Sequence, residues 1–413
     1  MILNYIKIAW KVLLRHPFYT FITLFGISLT LTVLMVLTSF IDHLVGSHYP
    51  ENRRNRMLYV QKVQLTDSLK QSRNMGPASY EFMKKYVLTL KTPEKIGIAT
   101  IFGSANAYVN GKRISLNTKL TNAGFWEVTD FTFLEGKPFN EQHIANGDAV
   151  AVITDDLKRQ YFEDPTQPVV GKSIEVDNVT YRILGVVEGV PVTRPNTSAD
   201  IYFPYNVGKS NYRNPGMMGN YTAMLLARKP SDFAAIQAEF QSVISRIPRP
   251  QESDGFKFFY IDVKAETFLE SFLSNVIERN ASGYFYTVVG LVMLLFMSLP
   301  AINLVNVNVS RIMERASEIG IRKAFGAPTR TLMGQFVIEN LFITFIGGAI
   351  ALLLSTLVIY LINQSGWIAR ADLTINLSVF LTSLLVCFVF GLMSGVVPAL
   401  RMSKLSIVEA LKS

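Results

Sequence analysis

The sequence predicts an integral membrane α-helical protein with four transmembrane (TM) helices and a large extracytoplasmic α+β domain inserted between TM1 and TM2. Three observations lead to this fold class. Of the 413 residues, 49% are hydrophobic and 17% are charged, against about 25% charged residues in an ordinary soluble domain. Four long stretches contain no charged residue. A single insert of 241 residues, between His43 and Gly283, separates the first stretch from the other three.

The first stretch, residues 18–41, is long enough to cross a hydrocarbon core of about 30 Å as a helix. It is too long for the apolar core of a signal peptide, which has about 7–15 residues, so we interpret it as an uncleaved TM1. The predicted segments are 1–17 cytoplasmic, 18–41 TM1, 42–266 periplasmic core domain, 267–283 stalk helix, 284–309 TM2, 310–334 cytoplasmic loop, 335–362 TM3, 363–376 short periplasmic loop, 377–397 TM4 and 398–413 cytoplasmic tail.

The distribution of charge predicts the orientation of these helices. The insert holds 28 Lys and Arg against 25 Asp and Glu, so most of the net charge of +9 lies elsewhere. Eleven of the 12 basic residues outside the insert flank the spans on one side, and Arg370 is the exception. The positive-inside rule then places both termini and the second loop in the cytoplasm. The basic balance therefore indicates a membrane topology and not a nucleic-acid interface.

The insert has the pattern of a mixed α+β domain. Residues 43–90 are polar, with helix-compatible patches such as 79–90, and short β-type runs follow from Ile96 onwards. In residues 173–187, apolar and polar residues alternate on both sides of Asp177-Asn178, which predicts a hairpin. Residues 201–204 predict a short strand. Residues 233–247 have the apolar spacing of an amphipathic helix. Residues 267–279 fit either a helical stalk leading into TM2 or a helix packed on its own domain.

The sequence contains no pattern that predicts catalysis or metal binding. The four histidines have no metal-ligand spacing, no G-x-S-x-G elbow is present, and Gly171-Lys172-Ser173 lacks the first glycine of a phosphate-binding loop. With Cys387 as its single cysteine, the chain cannot form an intramolecular disulfide. We expect a non-catalytic chain without a cofactor or metal of its own.

The cytoplasmic loop after TM2 predicts a short amphipathic helix. Glu318 lies four residues from both Glu314 and Arg322, and Gly326 and Pro328 end the pattern. A charged helix held against the membrane surface by two long spans can act as a lever, because a push on it moves both spans.

The residues of this loop resemble a known family. ERASEIGIRKAFGA (314–327), QFVIEN (335–340), Gly347-Gly348 and the C-terminal VPALR (397–401) with EAL (409–411) resemble the FtsX/MacB-type permease domain of type VII ABC transporters. Residues 10–37 look like the first membrane segment of Bacteroidetes-type permeases. AVIT (151–154), VGK (170–172) and ILGVV (183–187) resemble the MacB periplasmic core domain. The resemblance extends over essentially the whole chain.

The resemblance implies a permease that converts ATP hydrolysis into motion of its periplasmic domain. Because the chain starts almost directly with TM1, we expect a stand-alone permease and a separate cytoplasmic ABC ATPase that binds ATP and Mg²⁺. A second permease copy or paralogue would complete a dimer, and a periplasmic adaptor and outer-membrane channel are further possible partners. The implied ATPase-coupling residues are Glu314, Arg315, Glu318, Ile319, Gly320, Arg322, Lys323, Gly326 and Ala327.

Several functions remain open within this class. The chain could export a drug or peptide as a MacB-like pump in the inner membrane, release lipoproteins, or regulate a cell-wall enzyme as FtsX-like subunits do. The size of the insert is closer to that of the first two kinds of permease than to the smaller ectodomain of FtsX. A ligand-binding membrane sensor is the alternative from another class. Residues 194–221, rich in Asn, Pro and Gly, fit an adaptor-contacting loop or an ordinary flexible loop equally well.

Overall fold

A computed structural model describes residues 10–11, 13–15, 17–67, 69, 73–109, 112–208, 210–253, 256–276, 287–292, 294–295, 321, 325, 328–367, 370, 373–386 and 388–389. The chain divides into two compact units. The helical unit comprises Met1–Asp42, Gly283–Trp367 and Asp372–Ser413. The core unit comprises His43–Ser282 together with Ile368–Ala371.

Fourteen strands and nine helices are named here in chain order. The strands are β1 (Met57–Val60), β2 (Val63–Asp67), β3 (Arg73–Gly76), β4 (Lys95–Thr100), β5 (Ser104–Val109), β6 (Lys112–Thr121), β7 (Phe133–Gly136), β8 (Val150–Thr154), β9 (Ser173–Val176), β10 (Val179–Val187), β11 (Ile201–Pro204), β12 (Tyr221–Leu226), β13 (Gln251–Ser253) and β14 (Phe256–Val263). The helices are α1 (Pro17–Val45), α2 (Tyr80–Phe82, continued by a π-turn over Met83–Val87), α3 (Gly124–Val128), α4 (Glu141–Asn146), α5 (Asp155–Tyr161), α6 (Phe233–Ser245), α7 (Phe268–Val276), α8 (Thr329–Ser365) and α9 (Leu377–Val386).

Six strands of the core unit close into a ring. β6 pairs with β11, β11 with β8, β8 with β10, β10 with β9, β9 with β5, and β5 again with β6. The β6–β11 and β8–β10 pairs are parallel and the others are antiparallel. Alternate side chains of such a ring point inwards. Its interior is filled by Ala107, Leu116, Ile153, Val176, Ile183, Ile201 and Phe203.

The sheet continues beyond the ring from β6 through β4 and β12 to β1. A second, four-stranded sheet has the order β13-β14-β2-β3. Helix α6 buries Ile236, Phe240 and Ile244 in a hydrophobic cluster that also contains Leu65 of β2 and Ile261 of β14. The amphipathic helix predicted for residues 233–247 is therefore observed as α6, with its apolar face inside.

The hairpin predicted for residues 173–187 is observed as β9 and β10. Asp177 and Asn178 both have positive φ, at 50° and 65°, as a two-residue type I′ turn requires. The strand predicted at residues 201–204 is β11. The expectation that β structure starts near Ile96 was wrong, because β1, β2 and β3 precede it. All four residues of β1 are buried, so this short strand lacks the polar alternation that would reveal it.

Among the described residues, the helical unit has two helices long and apolar enough to cross a membrane, within Pro17–Val45 and Val337–Ser365. Of the predicted span 284–309, only residues 287–292 and 294–295 are described, and of the predicted span 377–397 the described helix α9 covers residues 377–386, so four spans remain a prediction. Helices α1, α8 and α9 approach closely at two glycines of α8. A Cβ atom on Gly347 would lie 2.8 Å from Ile27 of α1, and one on Gly348 would lie 2.6 Å from Leu384 of α9.

Candidate functional site

The nine predicted ATPase-coupling residues, Glu314, Arg315, Glu318, Ile319, Gly320, Arg322, Lys323, Gly326 and Ala327, lie outside the residues that the structure describes. Two residues of the same loop are described. Ile321 is 51% exposed and Phe325 is 89% exposed. The coupling helix therefore stays a prediction from the sequence.

A buried polar cluster lies where the chain passes from α1 to β1. This entry cluster comprises Glu51, Arg54, Tyr59, Arg194 and Thr197, all of them in the core unit and all buried. Arg54 Nε donates to Glu51 Oε2 at 2.8 Å, and the Tyr59 hydroxyl donates to the same oxygen at 2.9 Å. Thr197 Oγ1 donates to Glu51 Oε1 at 2.8 Å. Both oxygens of the buried carboxylate are thus hydrogen-bonded.

The two arginines of the entry cluster also bind the end of α1. Arg194 Nη2 donates to the His43 carbonyl at 2.8 Å and Arg194 Nη1 to the Gly46 carbonyl at 2.9 Å. Arg54 Nη1 donates to the Leu44 carbonyl at 2.5 Å. The last carbonyls of a helix have no partner within the helix, and cations are favourable there. Two fixed guanidinium groups therefore hold the final turn of α1 and the residue after it.

The same cluster contacts the segment through which the chain leaves the core. The Arg54 guanidinium carbon lies 3.8 Å above the ring of Phe268, the first residue of α7. The Tyr59 backbone N–H donates to the Glu266 carbonyl at 2.7 Å, and the Glu266 N–H donates back to the Tyr59 carbonyl at 2.9 Å. The entry and exit segments of the core unit therefore meet at one rigid polar cluster.

Two family models match this chain. The model described as the MacB-like periplasmic core domain matches residues 20–243, which is more than half of the chain. The model described as the FtsX-like permease C-terminal region matches residues 290–407. The chain belongs to the MacB/FtsX permease family. This family is the permease component of ABC transporters, with a periplasmic domain, and works with ABC ATPases.

Curated relatives of this MacB/FtsX permease include macrolide export ATP-binding/permease proteins. The MacB of Acinetobacter baylyi is 26% identical over 336 residues, covering 78% of this chain and 44% of the relative. The MacB of Escherichia coli K12 is 25% identical over 306 residues, covering 73% and 44%. The chain thus spans less than half the length of the curated relatives it matches. Among solved structures, the periplasmic region of MacB from Actinobacillus actinomycetemcomitans aligns with a TM-score of 0.36 at 14% identity, over 55% of this chain and 97% of that one.

The electrostatics of the entry cluster keep its hydrogen bonds in place in this MacB/FtsX permease. Burial alone would raise the pKa of Glu51, but the charge of Arg54 and hydrogen bonds from Arg54, Thr197 and Tyr59 lower it overall. Burial, and after it the charge of Glu51, raises the pKa of Tyr59. The carboxylate stays ionised and the phenol stays a neutral donor, so the cluster keeps its hydrogen bonds and does not exchange protons near neutral pH. Among the described residues, no group of three or more His, Cys, Asp and Glu side chains could hold a metal ion.

Sequence reasoning missed the entry cluster of the MacB/FtsX permease. The only local signal is the i,i+3 spacing of Glu51 and Arg54, which is common in exposed turns. Arg194 opens the stretch that we considered as an adaptor-contacting loop, yet its side chain is 0% exposed and bound to the backbone of residues 43 and 46. Arg194 itself therefore lies inside the core unit, while an adaptor contact by the rest of residues 194–221 stays a prediction. The position of Arg194 depends on contacts about 150 residues away in sequence, which no local pattern could reveal.

Proposed function

We propose that this chain is the permease subunit of a type VII ABC transporter. It passes the work of ATP hydrolysis from an ABC ATPase to its periplasmic domain and drives export by mechanotransmission, without threading substrate through the membrane. The names of the curated relatives favour export, of a drug, peptide or similar molecule, over lipoprotein release or regulation of a cell-wall enzyme. The sensor alternative loses support because the chain belongs to a permease family.

The entry cluster is the observation that carries this proposal. A flexible linker between α1 and β1 would absorb any movement of the helix. Instead, the carbonyls of His43, Leu44 and Gly46 are bound by arginines that are themselves buried in the core unit. Because interiors are closely packed and compress little, a displacement of the last turn of α1 moves the entry cluster with it. The contact of Arg54 with Phe268 extends this movement to α7.

On the cytoplasmic side, the loop after TM2 receives the movement of the ATPase. Glu314, Arg315, Glu318, Ile319, Gly320, Arg322, Lys323, Gly326 and Ala327 form the helix that docks on the ATPase. ATP and Mg²⁺ bind to the ATPase, while this chain acts as a non-catalytic part. Four spans in the inner membrane, with both termini in the cytoplasm, connect the loop to the periplasmic domain, and two permease copies or paralogues pair.

Charge reversal in the predicted coupling helix tests the proposal. The full chain is co-expressed with the ABC ATPase encoded nearest to its gene and purified in nanodiscs. We expect an Arg322→Glu/Lys323→Glu variant to lose co-purifying ATPase by about tenfold or more, because like charges across a docking surface are strongly unfavourable. The matched control is Lys84→Glu/Lys85→Glu, an adjacent exposed basic pair of the core unit, which should retain the ATPase.

The outcomes separate three cases. Loss of the ATPase from the first variant alone supports the transporter function and the coupling helix. Equal binding by both variants means that the docking surface lies elsewhere. If the native chain binds none of the ABC ATPases encoded in the genome, the proposed function is wrong.

A further inference from the structure

Arg370 is the basic residue that breaks the charge pattern of the membrane topology. Eleven of the 12 basic residues outside the insert lie on the predicted cytoplasmic side, and Arg370 lies in the opposite loop, between α8 and α9. Residues Ile368–Ala371 belong to the core unit, although the residues on both sides of them belong to the helical unit. The exception in the charge pattern therefore coincides with the tip of a loop that is part of the core.

The guanidinium of Arg370 binds two carboxylates at the start of α5. Its Nε donates to Asp156 Oδ2 at 2.5 Å, and its Nη2 lies 2.7 Å from both Oδ1 and Oδ2 of Asp155. Asp155 Oδ1 also accepts from the Gly189 backbone N–H at 2.9 Å. Arg370 thus bonds both aspartates through two of its nitrogens, in a geometry that the planar fork of arginine can provide and lysine cannot.

The core unit leaves space for this guanidinium. A Cβ atom on Gly189 would lie 2.5 Å from Arg370 Nε and 2.7 Å from Arg370 Cζ. The φ of Gly189 does not require glycine, so the absent side chain matters for the room it leaves. Hydrogen bonds to Asp156 and Asp155 raise the pKa of the Arg370 guanidinium against the opposing effect of burial. The hydrogen bond from Arg370 in turn holds the pKa of Asp156 below its usual range.

The backbone of Arg370 has an uncommon conformation. Its φ is +56°, in the left-handed region that residues with a Cβ rarely adopt.

The two aspartates have a second cation in Arg159 of α5 itself, which pairs with Asp155 at 2.9 Å and with Asp156 at 2.5 Å. Arg159 is 53% exposed and Arg370 27% exposed. The cation from the distant loop is therefore the more enclosed of the two.

We propose that Arg370 is a positioning residue that anchors the loop between α8 and α9 to Asp155 and Asp156 of the core domain. The chain crosses between the two units at residues 42–43, 282–283, 367–368 and 371–372, and the ion pairs of Arg370 fix the segment between the last two crossings to α5 without a covalent bond. The role of this anchor in transmission rests on the proposed function, whereas the anchor itself does not. Movement of α8 and α9 would then reach α5 directly, independently of α1 and α7.

The anchor is tested on the full chain alone by hydrogen exchange. We expect Arg370→Ala to increase amide exchange in residues 366–373 by about tenfold or more, since the loop loses its attachment and opens locally. Gly189→Ala should have a similar effect, because it fills the space of the guanidinium, and Arg370→Lys should lie in between. The matched control Arg159→Ala removes a cation from the same aspartates without touching the loop, and should change this exchange by less than about twofold. Unchanged exchange in Arg370→Ala would overturn the anchor.

Transmission is tested with the ABC ATPase bound in nanodiscs, by comparing exchange in α5 with and without ATP and vanadate. We expect Arg370→Ala to retain the ATPase but to lose most of the nucleotide-dependent change in α5, while Arg159→Ala keeps it. A full change in Arg370→Ala overturns the transmission role, with the proposed function intact. If the native chain binds no ATPase while the exchange of residues 366–373 depends on Arg370, the proposed function fails and the anchor stands.

Discussion

At the residue scale, Lys119 shows how the core treats a charge that it cannot pair. Its side chain is 1% exposed on β6, and Nζ donates to the Thr100 carbonyl at 2.7 Å and to the Ile101 carbonyl at 3.2 Å. Burial lowers the pKa of Lys119 to about 7, against an opposing effect of the Glu51 carboxylate. A neutral amine has two N–H groups, enough for both carbonyls, so the fold can hold Lys119 uncharged at little cost in hydrogen bonds.

This predicts that stability rises with pH above about 7. Between a folded pKa of about 7 and an unfolded value of about 10.4, the unfolded chain binds the extra proton, so deprotonation favours the folded state. The free energy of unfolding should increase by up to about 1.4 kcal/mol per pH unit from this residue. Lys119→Met should remove this part of the slope, while Lys112→Met at the exposed start of β6 should keep it. Urea unfolding of the detergent-solubilised chain at pH 6.5 to 9.5 measures the difference.

The entry cluster gives a second prediction at the residue scale. Arg54→Met leaves the carboxylate of Glu51 buried without its cation, at a cost of about 3–5 kcal/mol. Glu51→Leu/Arg54→Met removes both charges and should cost less than the single variant. Arg53→Met is the control, because Arg53 pairs with Asp130 at 2.9 Å with both side chains about one-third exposed and should cost below about 1 kcal/mol. A single variant no less stable than the double variant would contradict the buried ion pair.

At the scale of elements, the helices of the helical unit pack through small residues. Gly347 faces Ile27 of α1 and Gly348 faces Leu384 of α9, on adjacent positions of α8. Membrane helices associate largely through close packing of this kind. Gly348→Leu should therefore separate α8 from α9 and lower stability by about 1–3 kcal/mol. Gly334→Leu in the same helix is the control, since a Cβ there has open space. Thermal unfolding in detergent compares the two, and equal midpoints would refute the packing.

Which elements could be predicted depended on how their side chains are patterned. α1, α6 and the β9–β10 hairpin have long apolar runs, helical spacing or a turn dipeptide, and the sequence predicts each of them. β1 is a four-residue strand buried throughout, so no alternation marks it. The closed ring of strands could not be predicted from the sequence either, because β6 and β11 pair in parallel although about 80 residues separate them in the chain. The charge pattern of the sequence marks Arg370 as an exception, but its partners Asp155 and Asp156 are more than 200 residues away.

At the scale of the whole molecule, the proposed topology can be tested with the single native cysteine replaced. In a Cys387→Ala background, Ser231→Cys places a thiol on the exposed surface of the core unit, and Ser317→Cys places one in the predicted cytoplasmic loop. A membrane-impermeant maleimide should label the first in spheroplasts and the second only after lysis. Labelling of both in intact spheroplasts would contradict the orientation predicted from the basic residues.

The closed ring of six strands also determines how the core bears load. In a closed ring, each strand is paired with a neighbour on both sides, so a force applied to one strand is distributed over the whole ring. The strand pair with the shortest pairing in the ring is β5 with β9. These two strands pair only through Ala107 and Val176, supported by two hydrogen bonds between Asn106 and Asp177, both at 2.9 Å. If the proposed function subjects the core unit to a pulling force, the β5–β9 pair should separate first, while the other five strand pairs of the ring stay hydrogen-bonded.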